Sequence, residues 1–120
     1  MKFFYTKFKF YVIIHLMEVN NMSFVTISTW RMIGDTETLA HVTELMRKKY
    51  FPGLLSLGAE QSMIVDTDLD RFAIVTVYPS RKVRDNAIDH ISSLRCEGAE
   101  EFGAELMDAH AGDMLASSED

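Results

Sequence analysis

The period of hydrophobic and polar positions changes several times along the chain, and each change marks an element. From Ser23 to Met32 the run SFVTISTWRM is dense in β-branched and aromatic residues, without Gly or Pro, as a strand requires. Alternation sets Val25, Ile27, Thr29 and Arg31 on one face, and Phe24, Thr26, Ser28, Trp30 and Met32 on the other. Gly34-Asp35 ends this strand. Asp35 or Thr36 then caps a helix with Glu37 in its first turn, and Leu39, Val42, Leu45, Met46 and Tyr50 follow at helical spacing. Pro52-Gly53 breaks or kinks the helix, and Leu54, Leu55 and Leu57 continue one packed turn before Gly58 stops it.

Gln61 to Asp66 and Arg71 to Tyr78 read as a second and third strand, joined by Thr67-Asp68-Leu69-Asp70 as a hairpin loop. In the third strand Ala73, Val75 and Val77 form a small apolar face suited to packing on helices. Phe72, Ile74, Thr76 and Tyr78 mix aromatic and hydroxyl groups, as the even-numbered face of the first strand does. Ser80 caps a second helix with Val83, Ala87, Ile91 and Leu94 as its core stripe and Gly98 as an interruption. Between 99 and 116 the pattern fits helix through Phe102, Leu106 and Met107, and fits a short edge strand over Leu106 to Leu115 equally well. The polar end from Ser117 is expected to fray.

This order predicts an α+β domain over 22–116, a ferredoxin-like βαββα(β) unit with an antiparallel sheet. Its helices cover one sheet face. The other face, assigned Phe24, Trp30, Met32, Phe72, Ile74 and Tyr78, is too apolar for water, so a homodimer closing face to face into an α/β barrel is expected.

Composition narrows the partners. One cysteine, Cys96, excludes an internal disulfide framework and a cysteine-rich metal site, and suits a reducing, cytoplasmic setting. The net charge of −6 is uneven: Lys2, Lys7 and Lys9 face only Glu18 in residues 1–21, while the rest holds 9 basic and 17 acidic residues. Such a surplus of acid repels phosphate backbones and argues against nucleic acid. The apolar run from Phe10 to Met17 is too short to span a bilayer, and no small-residue cleavage site follows it. If Glu18 and Val19 are encoded by GAG and GTN, Met17-Glu18-Val19 carries the ribosome-binding run GGAGG just upstream of Met22. Translation is then expected to start at Met22, the competing readings being a membrane-associating tail or an extra strand.

From Met22 to Leu94 the chain resembles the dimeric α/β-barrel proteins, in particular the antibiotic biosynthesis monooxygenase-like group. The resemblance lies in Trp30-Arg31 on the opening strand, the helix closing on Pro52-Gly53, the Leu57-Gly58-Ala59 turn, and Val75-Thr76-Val77-Tyr78-Pro79-Ser80. It implies a cavity between sheet and helices or inside the barrel, lined by Ser28, Trp30, Thr76 and Tyr78. Where family oxygenases commonly place an asparagine on the first strand, this chain has Ser28 or Thr26. Where they end the third strand in tryptophan, it has Tyr78. Haem-degrading members use a histidine early in the second helix, and His90 is the candidate here.

The expected activity is cofactor-independent oxygenation of an activated phenol or enol. The substrate stacks on Trp30, with Phe72 on the same face, and hydrogen-bonds to Tyr78, Ser28 or Thr76, with His90 as the proton acceptor. A non-catalytic dimeric ligand-binding or stress-related module that buries the same face is the alternative. No metal site is assigned. Asp66, Asp68 and Asp70 imitate a calcium loop but lack its turn glycine and distal acid, while Asp108, His110 and Asp113 have only ligand-like spacing. Alternation places Arg31 on the helix side, snorkelling to solvent.

Overall fold

The structure is a computed structural model that describes residues 22–34 and 37–120. The readings of residues 1–21, and of Asp35 or Thr36 as a helix cap, fall outside the described residues. Four strands, β1 (Phe24–Met32), β2 (Gln61–Asp68), β3 (Arg71–Tyr78) and β4 (Ala104–Asp113), form one antiparallel sheet in the order β2-β3-β1-β4. Between β1 and β2 run α1 (Leu39–Leu45), a π turn (Met46–Tyr50) and α2 (Phe51–Ser56). Between β3 and β4 run α3 (Arg81–Asn86) and α4 (Ile88–Phe102). This is the α+β, ferredoxin-like arrangement. No helix among the described residues is long and apolar enough to cross a membrane.

Local chemistry explains the boundaries. The side chain of Thr38, not of a residue before it, accepts the His41 N–H at 3.2 Å and starts α1. Ser80 does the same for Val83 at 3.2 Å at the start of α3. Pro52 neither breaks nor ends the first helical stretch. Its missing N–H and its ring exclude a regular α turn just upstream, and the chain widens there into the π turn, with the Phe51 N–H reaching back to the Met46 carbonyl. Asp70, at φ 62, turns the hairpin between β2 and β3, which is shorter than the sequence suggests because β2 continues to Asp68.

The ambiguous stretch after Ala99 divides cleanly. Helix α4 runs to Phe102, Gly103 takes the left-handed conformation at φ 64, and β4 begins at Ala104. Gly98 does not interrupt α4 but lies buried inside it, under the rings of Phe102 and Tyr50. The last residues close a turn in which the Asp120 carboxylate accepts the Ser117 N–H at 2.8 Å.

The two sheet faces are the reverse of the sequence assignment. Phe24, Trp30, Phe72, Ile74 and Tyr78 are buried beneath the helices, in clusters with Val42, Met46, Tyr50 and Phe102 at one end and Leu54, Ala87 and Ile91 at the other. Val25, Ile27, Val75 and Val77 point to the open side, flanked on β2 by Met63 and Val65. Size decides the matter: large rings fill the depth between a sheet and a helical layer, whereas β-branched side chains leave a flat surface. Arg31 belongs to the open face too, where it pairs with Glu105 on β4.

Candidate functional site

Under the helices the packing is incomplete. A cavity of about 40 Å³, measured as the room for the centre of a water-sized sphere, lies between sheet and helical layer. Its floor is the helix-facing side of two paired strands: Thr26, Ser28 and Trp30 from β1, with Ile74, Thr76 and Tyr78 from β3. Cross-strand register brings these together, since Thr26 pairs with Thr76, Ser28 with Ile74 and Phe24 with Tyr78. Its roof comes from Met46 and Tyr50 of the π turn, Leu54 of α2, and Ile91, Leu94, Arg95 and Phe102 of α4.

The aromatic end is rigid. Trp30 lies parallel to Phe72, with centroids 6.0 Å apart, and meets the edge of Phe102 at 5.8 Å. The Trp30 Nε1–H donates to Ser28 Oγ at 2.9 Å, and the Thr76 and Ser62 hydroxyls bond each other at 2.9 Å. Tyr50 donates to Glu101 at 2.7 Å, and Lys49 bonds both Glu97 and Glu101 from the solvent side. Burial first, and the Glu101 acceptor second, push the Tyr50 hydroxyl far above its ordinary pKa.

The opposite end is cationic. Arg95, half-buried on α4, forms no ion pair with a described residue, and burial pulls its pKa down against the effect of nearby Tyr78. Arg84 on α3 is close enough to both to perturb them. Its guanidinium stacks on Phe24, 4.8 Å from the ring centroid. Asp85 Oδ1 lies 3.0 Å from Arg84 Nε, yet out of line with its N–H, so this buried donor finds no hydrogen-bond acceptor among the described residues. Tyr78 is 1% exposed, and burial raises its pKa despite the two arginines, so the hydroxyl is a protonated donor at neutral pH.

Of the side chains singled out from sequence, Ser28, Trp30, Thr76 and Tyr78 stand in the cavity wall. Phe72 stands behind Trp30 rather than in the wall. His90 is exposed on α4 and lies outside the lining, because it precedes the stripe residue Ile91 by about 100° of helical rotation. Asp108 and His110 sit together on the open side of β4, 3.0 Å apart, whereas Asp113 reaches Arg81 instead. Sequence reasoning passed over Arg95. Its signal was a cation four residues after Ile91, on the apolar stripe of a helix.

No protein-family model matches the chain, and no curated protein matches it in sequence. Solved structures do match in shape. A dimeric ferredoxin-like protein from an uncultured marine organism superposes with a TM-score of 0.61 at 10% identity, over 80% of this chain and 98% of its own. A second dimeric ferredoxin-like protein of the same kind of source gives 0.58 at 12% identity, over 79% and 96%. A candidate antibiotic biosynthesis monooxygenase from Chloroflexus aurantiacus J-10-fl gives 0.53 at 13% identity, over 79% and 95%. Likeness at this level of identity establishes the architecture alone: the chain has the ferredoxin-like fold of these proteins, with a lined cavity under its helices.

Proposed function

We propose that the protein is a homodimer that binds a small aromatic or enolic molecule between its sheet and helices and oxygenates it without a cofactor. The observation that carries this reading is the make-up of the cavity wall, in which an indole, two phenols and three hydroxylated side chains converge with one guanidinium that has no ion pair among the described residues. In the reaction, an acidic ring methylene takes one oxygen atom of O₂ as a carbonyl. Its two hydrogens leave with the other oxygen atom as water, so the substrate supplies all four electrons. The chain's share is positional. Trp30 and Phe102 hold a ring, and Tyr78 donates to the oxygen on which negative charge accumulates.

At about 40 Å³ the cavity is well below the roughly 150 Å³ that accepts benzene in an engineered protein core, so a ring enters only if the roof yields. Met46 is the side chain fitted to yield, being unbranched and placed on the π turn. The dimer would form through the aliphatic open face of the sheet, as the dimeric state of the similar folds suggests.

One observation favours a non-catalytic binding module instead: the lining residues include no His, Asp or Glu, hence no conventional general base. Oxygen-electrode measurements with air-sensitive naphthols and cyclic enols separate the two. Protein-dependent uptake of one O₂ per substrate, falling about tenfold or more in Tyr78→Phe, supports the oxygenase. Quenching of the sole tryptophan, Trp30, without oxygen uptake assigns the protein to binding alone.

A further inference from the structure

We infer that this cavity takes its ligand as an anion, with the charged oxygen seated between the Arg95 guanidinium and the Tyr78 hydroxyl and Arg84 close by. The inference rests on the reading of the cavity as a ligand site, and it names the substrate class of that site.

The first argument is the missing counterion. The chain carries 18 acidic against 12 basic residues, and several described cations hold carboxylates: Arg31 with Glu105, Lys48 with Glu44, Lys49 with Glu97 and Glu101, and Arg81 with Asp113. Arg47, Arg71 and Lys82, which have no ion pair among the described residues, are exposed to water. Arg95 is half-buried in a wall of Ile91, Leu94 and Tyr78 and forms no ion pair with a described residue. Desolvating part of a guanidinium without an anion is costly, and an anion seated on it offsets that cost.

The second argument is convergence. Arg84 stands near Arg95 despite the repulsion between two cations, and its buried Nε–H lacks an acceptor among the described residues. Tyr78, held protonated by burial, presents a donor on the same side. The Arg95 guanidinium and the Tyr78 phenol therefore offer N–H and O–H donors with no carboxylate partner among the described residues, while Arg84 beside them keeps Asp85 as its ion pair, 3.0 Å from Nε. The third argument is the lack of a base in the lining. A site that cannot remove a proton works on a ligand that has already lost it, which restricts the ligand to carboxylates, acidic phenols and acidic enols.

Benzoate and benzamide, matched in shape and differing in charge, test this on the full-length protein through Trp30 fluorescence. Benzoate is expected to bind about tenfold or more tightly than benzamide, the scale of a charge-assisted hydrogen bond. Arg95→Gln is expected to erase that preference by weakening benzoate far more than benzamide, and Arg95→Lys, which keeps the charge, to restore part of it. Near-UV circular dichroism verifies that each variant is folded. Equal binding of both probes overturns the anion inference and leaves the cavity as a ligand site. A preference that persists in both folded variants overturns the role of Arg95. Binding of neither probe removes the ligand site and the inference together.

Discussion

The indole N–H of Trp30 ends on the hydroxyl of Ser28, 2.9 Å away and two residues earlier on the same face of β1. That one bond fixes the ring plane that Phe72 and Phe102 then pack against. Ser28→Ala would leave a buried indole N–H unsatisfied in a side chain that is 2% exposed. The expected loss is about 1–3 kcal/mol, read as a lower urea midpoint at unchanged m-value.

Gly98 bears on the same cluster from above. A Cβ at this position would stand 3.0 Å from Phe102 Cε2 and 3.5 Å from Tyr50 Cε1. Phe102 cannot give way easily, since Trp30, Tyr50 and Phe72 surround it. Gly98→Ala therefore trades a helix-propensity gain of up to about 1 kcal/mol against about 1–3 kcal/mol of overpacking. The expected result is a net loss of stability with broadened aromatic resonances by NMR.

Alkaline pH should act through Tyr50 and Tyr78. The folded pKa of each is raised above the ordinary tyrosine value, by burial first in both and by Glu101 as well for Tyr50. Groups raised in this way contribute stability that is complete below pH of about 10 and lost as pH climbs through the folded values. Stability is thus expected to fall above that pH, and less steeply in Tyr50→Phe. Phenolate absorbance at 295 nm should show Tyr50 silent near pH 10, so that Tyr50→Phe leaves the change there intact.

The open sheet face predicts a change of assembly. Val75 sits at its centre, between Ile27 on β1 and Met63 on β2. A carboxylate there would be buried unpaired in a face-to-face dimer, at a cost of about 3 kcal/mol or more. Val75→Glu should shift dimer to monomer by on the order of a hundredfold in Kd, measured by sedimentation equilibrium, with the far-UV spectrum unchanged.

Much of this architecture is written locally. Ser80, the run of Arg71 to Tyr78 and the helical spacing from Leu39 to Tyr50 each announce their element, because caps and periodicity act over a few residues. The sign of the sheet was not legible. Alternation separates Val75 from Thr76 but does not say which side meets the helices, and the aromatic volume of Trp30, Phe72 and Tyr78 settles that only in three dimensions. The same phase that grouped Ser28, Trp30, Thr76 and Tyr78 placed them in one wall once β1 and β3 paired. Arg95 escaped notice for the opposite reason: its significance is the lack of an ion pair among the described residues, and partners come from other elements.

The π turn from Met46 to Tyr50 has a consequence for how this wall can change over generations. A helix with five residues where a regular turn needs fewer holds slack, and removing one of its solvent-side residues, such as Lys48, would let the backbone relax to ordinary winding. Met46 and Tyr50 would then stand three positions apart in an ordinary helix, about 60° from each other and still on one face, so both would stay in the roof. The floor of the cavity is thus fixed by strand pairing, and its ceiling tolerates the loss of one solvent-side residue, so relatives with this sheet can differ in helix length and still keep the same roof.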